Sequence, residues 1–311
     1  MNFDGSEGSL QKFLKELSPV DQIGVENRTA YLATRSIKSS SKNWAIDLAI
    51  RMVDLTTLEG ADTPEKVRAL ANKAVRPDPL DQSVPSVGAI CVYNDLVKIA
   101  RTELDSIGGA HVSVASVTTA FPSGRASMEV KIQDTKEAIA AGANEIDMVI
   151  DRGAFLSGNL GLVFEEIQII KEVRGQDVHL KVILETGELT TLDNVRKASF
   201  LAMLAGADFI KTSTGKISPA ATAPVVYVML EAVRDFRSLT GRQVGLKPAG
   251  GIRTTKDAIK QLVLVNEVAG EDWLDPNFFR IGASALLNDL LMQRMKMRDG
   301  YYANANYVTI D

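Results

Sequence analysis

Eight short apolar runs punctuate this chain, each followed by a helix-compatible segment. They are Ala49–Asp54, Gly88–Tyr93, His111–Val117, Glu145–Ile150, His179–Leu184, Asp208–Thr212, Gln243–Lys247 and Arg280–Ala283. Their ends recur at intervals of roughly 25–40 residues, the length of a strand, a helix and two loops in a βα unit. Between them, Thr63–Pro64–Glu65 supplies a capping threonine and a proline at the first helical position. DTKEAIAAG (134–142) and LDNVRKASFLAMLAG (192–206) close on glycine, a common helix stop, and Thr255–Val265 starts from a threonine cap. Eight β-then-α units predict a (β/α)₈ TIM barrel. A doubly wound open sheet would usually carry a glycine-rich dinucleotide loop after an early strand, and the sequence has none. The barrel is expected over residues 46–297, after a helical extension at 1–45 and before a tail at 298–311. Within the extension, SLQKFLKEL reads as an amphipathic helix that caps the barrel floor or packs on a partner.

Composition narrows the function more than the fold. The 311 residues carry a net charge of −4 with no basic block, which argues against a nucleic-acid partner. No apolar run approaches the roughly 18 residues of a membrane span. The N-terminus is polar and holds acids, unlike a secretory signal. One cysteine, Cys91, leaves no internal disulfide framework and fits a reducing, cytoplasmic setting. With two histidines far apart in sequence, no His- or Cys-rich metal site is expected, and no cofactor is called for.

Alternation along a barrel strand places side chains in turn toward the interior and toward the helices. Lys211 shares a face with Phe209, Lys247 with Gly245, Lys181 with His179 and Ile183, Asp147 with Glu145 and Val149, and Asp54 with Met52. These five charges near strand ends are expected to point inward at the rim where barrel enzymes carry catalysis. A lone charge at a strand end is usually a solvated one. Several of mixed sign on one rim need each other, because isolated buried charges are costly. A lysine where a strand meets a loop is poorly solvated and can act as a nucleophilic amine. The lysines of ADFIKTSTGK (207–216) and QVGLKPAGGIR (243–253) therefore suggest a Schiff-base lysine with a cationic neighbour. Cys91, within GAICVY, reads as a small buried apolar residue that could also touch ligand.

Glycine loops add a second theme. PAGGIR (248–253), with Gly250 and Gly251, leads into a helix; Gly282, Ala283 and Ser284 open another, and Thr212–Lys216 adds a third edge. Loops after the seventh and eighth barrel strands commonly hold phosphate on backbone N–H groups. TSTGK is not a Walker loop, because residue 210 is Ile where that motif needs glycine.

VDLTTLEGADT (53–63), GAICVY (88–93), NEIDMVI (144–150), LKVILETGEL (180–189), FIKTSTGK and GLKPAGGIR together resemble the deoxyribose-phosphate aldolase family, from about residue 45 to about 290. The resemblance implies a metal-free class I aldolase that reversibly cleaves 2-deoxy-D-ribose 5-phosphate to D-glyceraldehyde 3-phosphate and acetaldehyde. It implies that Lys211 forms the imine, Lys247 is its cationic neighbour and Asp147 relays protons. Asp54 and Lys181 match positions the family places around the substrate; Cys91 and Thr212 are further candidate substrate contacts. Gly215, Lys216, Gly250, Gly251, Gly282 and Ser284 would hold its phosphate. A homo-oligomer, dimer or tetramer, is compatible with it. Two departures stand out: Ala285 replaces a frequent second serine, and Tyr301, Tyr302 and Tyr307 are followed by further residues, so none is assigned the role of a C-terminal catalytic tyrosine. The rival readings are another phosphate-gripping barrel, a different imine aldolase or a transaldolase-like enzyme, and a catalytically silent sugar-phosphate-binding barrel.

Overall fold

The structure is a computed structural model and describes residues 3–301 and 308; Tyr302 and Tyr307 lie outside the described residues. Three helices lead in: α1 (Glu7–Glu16), α2 (Gln22–Leu32) and α3 (Ser39–Met52). The barrel strands are β1 (Val53–Thr56), β2 (Ala89–Tyr93), β3 (Ser113–Thr118), β4 (Glu145–Val149), β5 (His179–Ile183), β6 (Phe209–Lys211), β7 (Gly245–Lys247) and β8 (Ile281–Ala283). Helices α4 (Pro64–Val75), α5 (Val97–Ser106) and α6 (Met128–Ala140) follow the first three strands. A short α7 (Arg152–Leu156) and α8 (Leu160–Val173) follow β4. After β5 to β8 come α9 (Leu192–Leu204), α10 (Ala223–Thr240), α11 (Thr255–Val268) and α12 (Leu286–Asp299). All strand pairs are parallel in the order β7-β6-β5-β4-β3-β2-β1-β8. Bridges Leu246↔Phe279 and Ala249↔Gly282 close the ring between its two ends. Eight parallel strands closed this way, with helices outside, form the TIM barrel that the βα rhythm predicts.

Local sequence explains most boundaries. The side chain of Thr63 accepts from the Lys66 N–H and Pro64 opens α4, as expected for a capped start. Thr254 and Asp257 form a reciprocal capping box on α11. The first strand departs from expectation. Residues 49–52 belong to α3, and β1 begins only at Val53. The reason is periodicity: Ala45, Ile46, Ala49, Ile50 and Met52 are buried at helical spacing, while Asp47 turns outward to ion-pair with Arg294. Met52 therefore ends a helix and does not share a strand face with Asp54.

The extension wraps the outside of the barrel. Leu10 and Leu14 of α1 are buried, and Phe13 packs on Phe200 of α9 with ring centroids 5.7 Å apart. Phe3 meets Phe164 of α8 at 5.8 Å. In α2, the Arg28 guanidinium donates to the Tyr227 hydroxyl of α10 at 3.1 Å. SLQKFLKEL is thus an amphipathic helix against α8 and α9, on the side of the barrel and not under its floor. Truncating Leu14 to Ala is expected to cost about 2–5 kcal/mol, the usual range for a buried leucine, and thermal unfolding would read it directly.

Candidate active site

Inside the barrel, charge and apolar surface separate by strand. Cys91 of β2 and Ala115 and Val117 of β3 form a small apolar cluster with Leu58, against which Tyr93 and Phe121 pack. The facing strands, β4 to β7, together with Asp54 of β1 and Arg280 just before β8, carry the charges. Asp54, Asp147, Lys181 and Lys247 are fully buried, and Lys211 is 2% exposed. Among those three lysines, Lys211 is the one with contact to the outside. Register makes Lys211 and Lys247 Cα partners across β6 and β7, and Asp147 and Lys181 partners across β4 and β5. The glycine of the GLK strand has a steric reason: a Cβ on Gly245 would lie 2.3 Å from the Phe209 ring.

Asp147 is the centre of this arrangement. Its Oδ2 accepts from Lys211 Nζ at 2.8 Å and from Lys247 Nζ at 2.8 Å, and its Oδ1 accepts from Lys181 Nζ at 3.2 Å. Burial alone would push this carboxyl up, but the lysines around it hold it well below the ordinary carboxylate range. Asp54 is held low in the same way by Lys247, Arg280 and Lys181. Lys247 also faces burial, which opposes its charge; Asp147 and Asp54 overcome that and hold its ammonium well above the ordinary lysine value. Lys247 thus lies across from Lys211 with two acids that favour its charged form. Cys91 is different: burial pushes its thiol up, so it stays a neutral wall residue.

The candidate phosphate residues lie on the loops after β6 and β7 and at β8 and its exit, with Gly282 inside the strand. Thr212 Oγ1 donates to the Ala249 carbonyl at 3.0 Å and accepts from the Ala249 N–H at 2.9 Å. Ser213 Oγ donates to the same carbonyl at 2.7 Å. Thr212 thus bolts the β6 and β7 loops together, with its hydroxyl engaged on protein. Gly215, Gly250 and Gly251 all have positive φ, at 81°, 87° and 85°. At Gly250 a Cβ would also lie 2.6 Å from that of Ala220. Gly282 approaches Ala249 too closely for a side chain, the built contact being 2.9 Å. Ser284 is exposed at the entry to α12, and Lys216 reaches across the mouth to Glu59 at 2.9 Å.

Three charged residues escaped the sequence reading. Arg280, just before β8, donates to Asp54 at 2.7 Å and to Glu145 at 3.1 Å, and Glu145 also holds Lys181. Glu145 was visible as the strand neighbour of Asp147, and Arg280 sits two residues before Gly282, so alternation could have found both. Glu185 had no such signal. It adopts a left-handed backbone at φ 54° and accepts from the Thr214 N–H at 3.1 Å and hydroxyl at 2.5 Å. Burial raises its carboxyl. It braces the β6 loop from the end of β5.

Paired buried lysines on neighbouring strands, a shared carboxylate and a ring of glycine loops are the parts of an imine-forming sugar-phosphate enzyme. Residues 48–291 match the DeoC/LacD family aldolase profile. The chain belongs to this aldolase family. It is 44% identical over 279 residues to the mouse deoxyribose-phosphate aldolase, covering 87% of each chain. Identity to the human deoxyribose-phosphate aldolase is 43% over 280 residues, again 87% of each. Among solved structures, a tetrameric deoxyribose phosphate aldolase from Aeropyrum pernix superposes with a TM-score of 0.62 at 25% identity, over 83% of this chain and 99% of that one. No helix among the described residues is long and apolar enough to cross a membrane.

Proposed function

We propose that Lys211 is the imine-forming amine of this deoxyribose-phosphate aldolase, with Lys247 and Asp147 as its partners. The reaction is the reversible cleavage of 2-deoxy-D-ribose 5-phosphate to D-glyceraldehyde 3-phosphate and acetaldehyde. The observation that carries the residue assignment is the convergence of both lysines on one oxygen of Asp147, each at 2.8 Å. In the cleavage direction, neutral Lys211 attacks the C1 carbonyl, and loss of water from the carbinolamine gives a protonated imine. The electrons of the C2–C3 bond flow into that imine as the C3 hydroxyl loses its proton, which releases glyceraldehyde 3-phosphate. Protonation of the enamine at C2 and hydrolysis then free acetaldehyde and Lys211. Asp147 lies on the amine itself, so it is placed to move protons at the carbinolamine and enamine stages. Lys247, held as a cation, disfavours a second ammonium beside it, at roughly 3 kcal/mol for charges about 5 Å apart at an effective dielectric of about 20.

The phosphate would sit on the loops carrying Gly215, Lys216, Gly250, Gly251, Gly282 and Ser284, away from the lysines. Anchoring the remote end holds C1 at the amine. Gly250→Val would place a branched side chain on a positive-φ residue already 2.6 Å from its neighbour at Cβ. It is expected to raise KM for the phosphorylated sugar by about tenfold or more, with little change in kcat/KM for unphosphorylated 2-deoxyribose. Steady-state kinetics on both sugars test the phosphate assignment, and equal losses on the two would contradict it. The small-sugar-phosphate substrate class follows from the family. A homo-oligomer, dimer or tetramer, and a cytoplasmic location are our proposals; the tetrameric relative supports the first, and no helix among the described residues is long and apolar enough to cross a membrane.

A further inference from the structure

The buried charges of the barrel form a closed circuit. Asp54 contacts Lys247, Lys247 contacts Asp147, and Asp147 contacts Lys181. From there Lys181 contacts Glu145, Glu145 contacts Arg280, and Arg280 returns to Asp54. Each acid of the circuit touches at least two of its cations, and each cation at least two of its acids; Lys181 also lies 3.9 Å from Asp54, across the ring. The circuit contains as many carboxylates as cations and is neutral as a whole. Lys211 stands outside it, attached at one point, Asp147 Oδ2. A protonated Lys211 is therefore a cation in excess of this circuit, where water barely reaches.

We infer that Arg280 sets the protonation of Lys211 from a distance: by closing a neutral circuit, it leaves Lys211 as the unbalanced cation and so the lysine that gives up its proton. This rests on the reading of Lys211 as the imine-forming amine. Arg280 is suited to the task because a guanidinium keeps its charge where a third lysine could lose it. The fold makes room for it. A Cβ on Gly88 would lie 2.8 Å from Arg280 Nη1 and 2.6 Å from the Arg51 carbonyl, so the glycine of GAICVY admits the guanidinium. Its Nε is also tied to the Pro276 carbonyl. Arg280 is thus a positioning residue that makes no contact with Lys211. From the other strands packed around Lys211 come Cys91 on β2, a neutral thiol, and the apolar Ala115 and Val117 on β3, which leave the count unchanged.

Loss of one charge from the circuit has a sign that packing alone does not give. Arg280→Met leaves the remaining circuit one negative charge in excess, which a protonated Lys211 would satisfy. The pH profile for borohydride trapping of the acetaldehyde imine is expected to move about one unit alkaline, with trapping near pH 7 slowed about tenfold. Glu145→Gln removes a negative charge and is expected to move the profile to lower pH. The double variant Arg280→Met/Glu145→Gln restores neutrality and should return the profile to that of the parent, and Arg280→Lys should hold it there. Each variant is compared only after its thermal unfolding shows a folded protein. If the charge-changing variants lose amplitude with an unmoved profile, Arg280 merely supports the fold and the inference is wrong. It fails equally if both single variants shift in one direction. Should reduction of the parent enzyme label a lysine other than Lys211, the underlying reading fails instead, and peptide mapping separates the two cases.

Discussion

Lys211→Met is expected to lose cleavage activity by on the order of 10⁵-fold or more while remaining folded. Removing a nucleophile eliminates the covalent route altogether, so residual activity has only substrate binding and the surrounding field to draw on. Stability should change little for a reason visible in the site. Asp147 keeps Lys181 and Lys247 when Lys211 is gone, so no buried carboxylate is left bare. Methionine has a similar length and an apolar tip, and the surrounding charges remain balanced. A thermal midpoint within a few degrees of the parent, together with no detectable imine, is the expected pair of results. A variant that still cleaves deoxyribose 5-phosphate at near-parental rates would place the amine elsewhere.

Asp147→Asn should damage both activity and stability. Activity is expected to fall by about 10²–10⁴-fold, the usual contribution of a positioned acid or base. The stability loss is expected at about 3–5 kcal/mol, the cost of removing one partner from a buried charge pair, because the buried ammonium groups of Lys181 and Lys247 would face an amide. The acid limb carries a further signature. Asp147 has a folded-state carboxyl well below its unfolded value, so its contribution is fully present above the unfolded value of about 3.9. That contribution is lost as pH falls from there toward the folded value, where native and unfolded chains bind the same proton. The parent enzyme is thus expected to lose stability progressively below about pH 4, and Asp147→Asn to show a shallower fall across that window. Chemical denaturation at several pH values measures it. Identical slopes would mean that Asp147 does not carry its charge in the folded state.

Much of this architecture was open to reading because barrel strands are short and apolar, and because each helix brings its own stop and start signals. Lys211 and Lys247 stood out since both end apolar strands against loops rich in Gly, Ser, Thr or Pro, among several mixed charges on one rim. Asp147 followed from alternation. The boundary between α3 and β1 was hidden, because WAIDLAIRM satisfies a helical period while sounding equally strand-like in its apolar content. The facing of Arg280 and Glu145 was open to alternation, but their burial and partners were not. Alternation says which way a residue faces, but their burial depends on all eight strands closing, and their partners lie 226 and 36 positions away in the chain. Glu185 was least visible, since nothing in ETGEL announces a left-handed glutamate. Such a backbone costs about 1–3 kcal/mol and persists only where surrounding contacts hold it, here those from Thr214.

Sequence suggested the paired lysines as a simple repulsion, one ammonium lowering the other. The structure gives that pair a larger setting. Lys247 is neutralised by Asp54 and Asp147, so its effect on Lys211 cannot be separated from the carboxylates between them. What distinguishes Lys211 is its place at the edge of a balanced circuit, next to the mouth of the barrel.

The most direct measurement is borohydride reduction of the enzyme with and without acetaldehyde, followed by intact mass and peptide mapping. An acetaldehyde-dependent ethyl adduct on Lys211 is the predicted result and would establish the imine and the nucleophile in one experiment. An adduct on Lys247 or Lys181, or none in protein shown to be folded, would contradict the assignment.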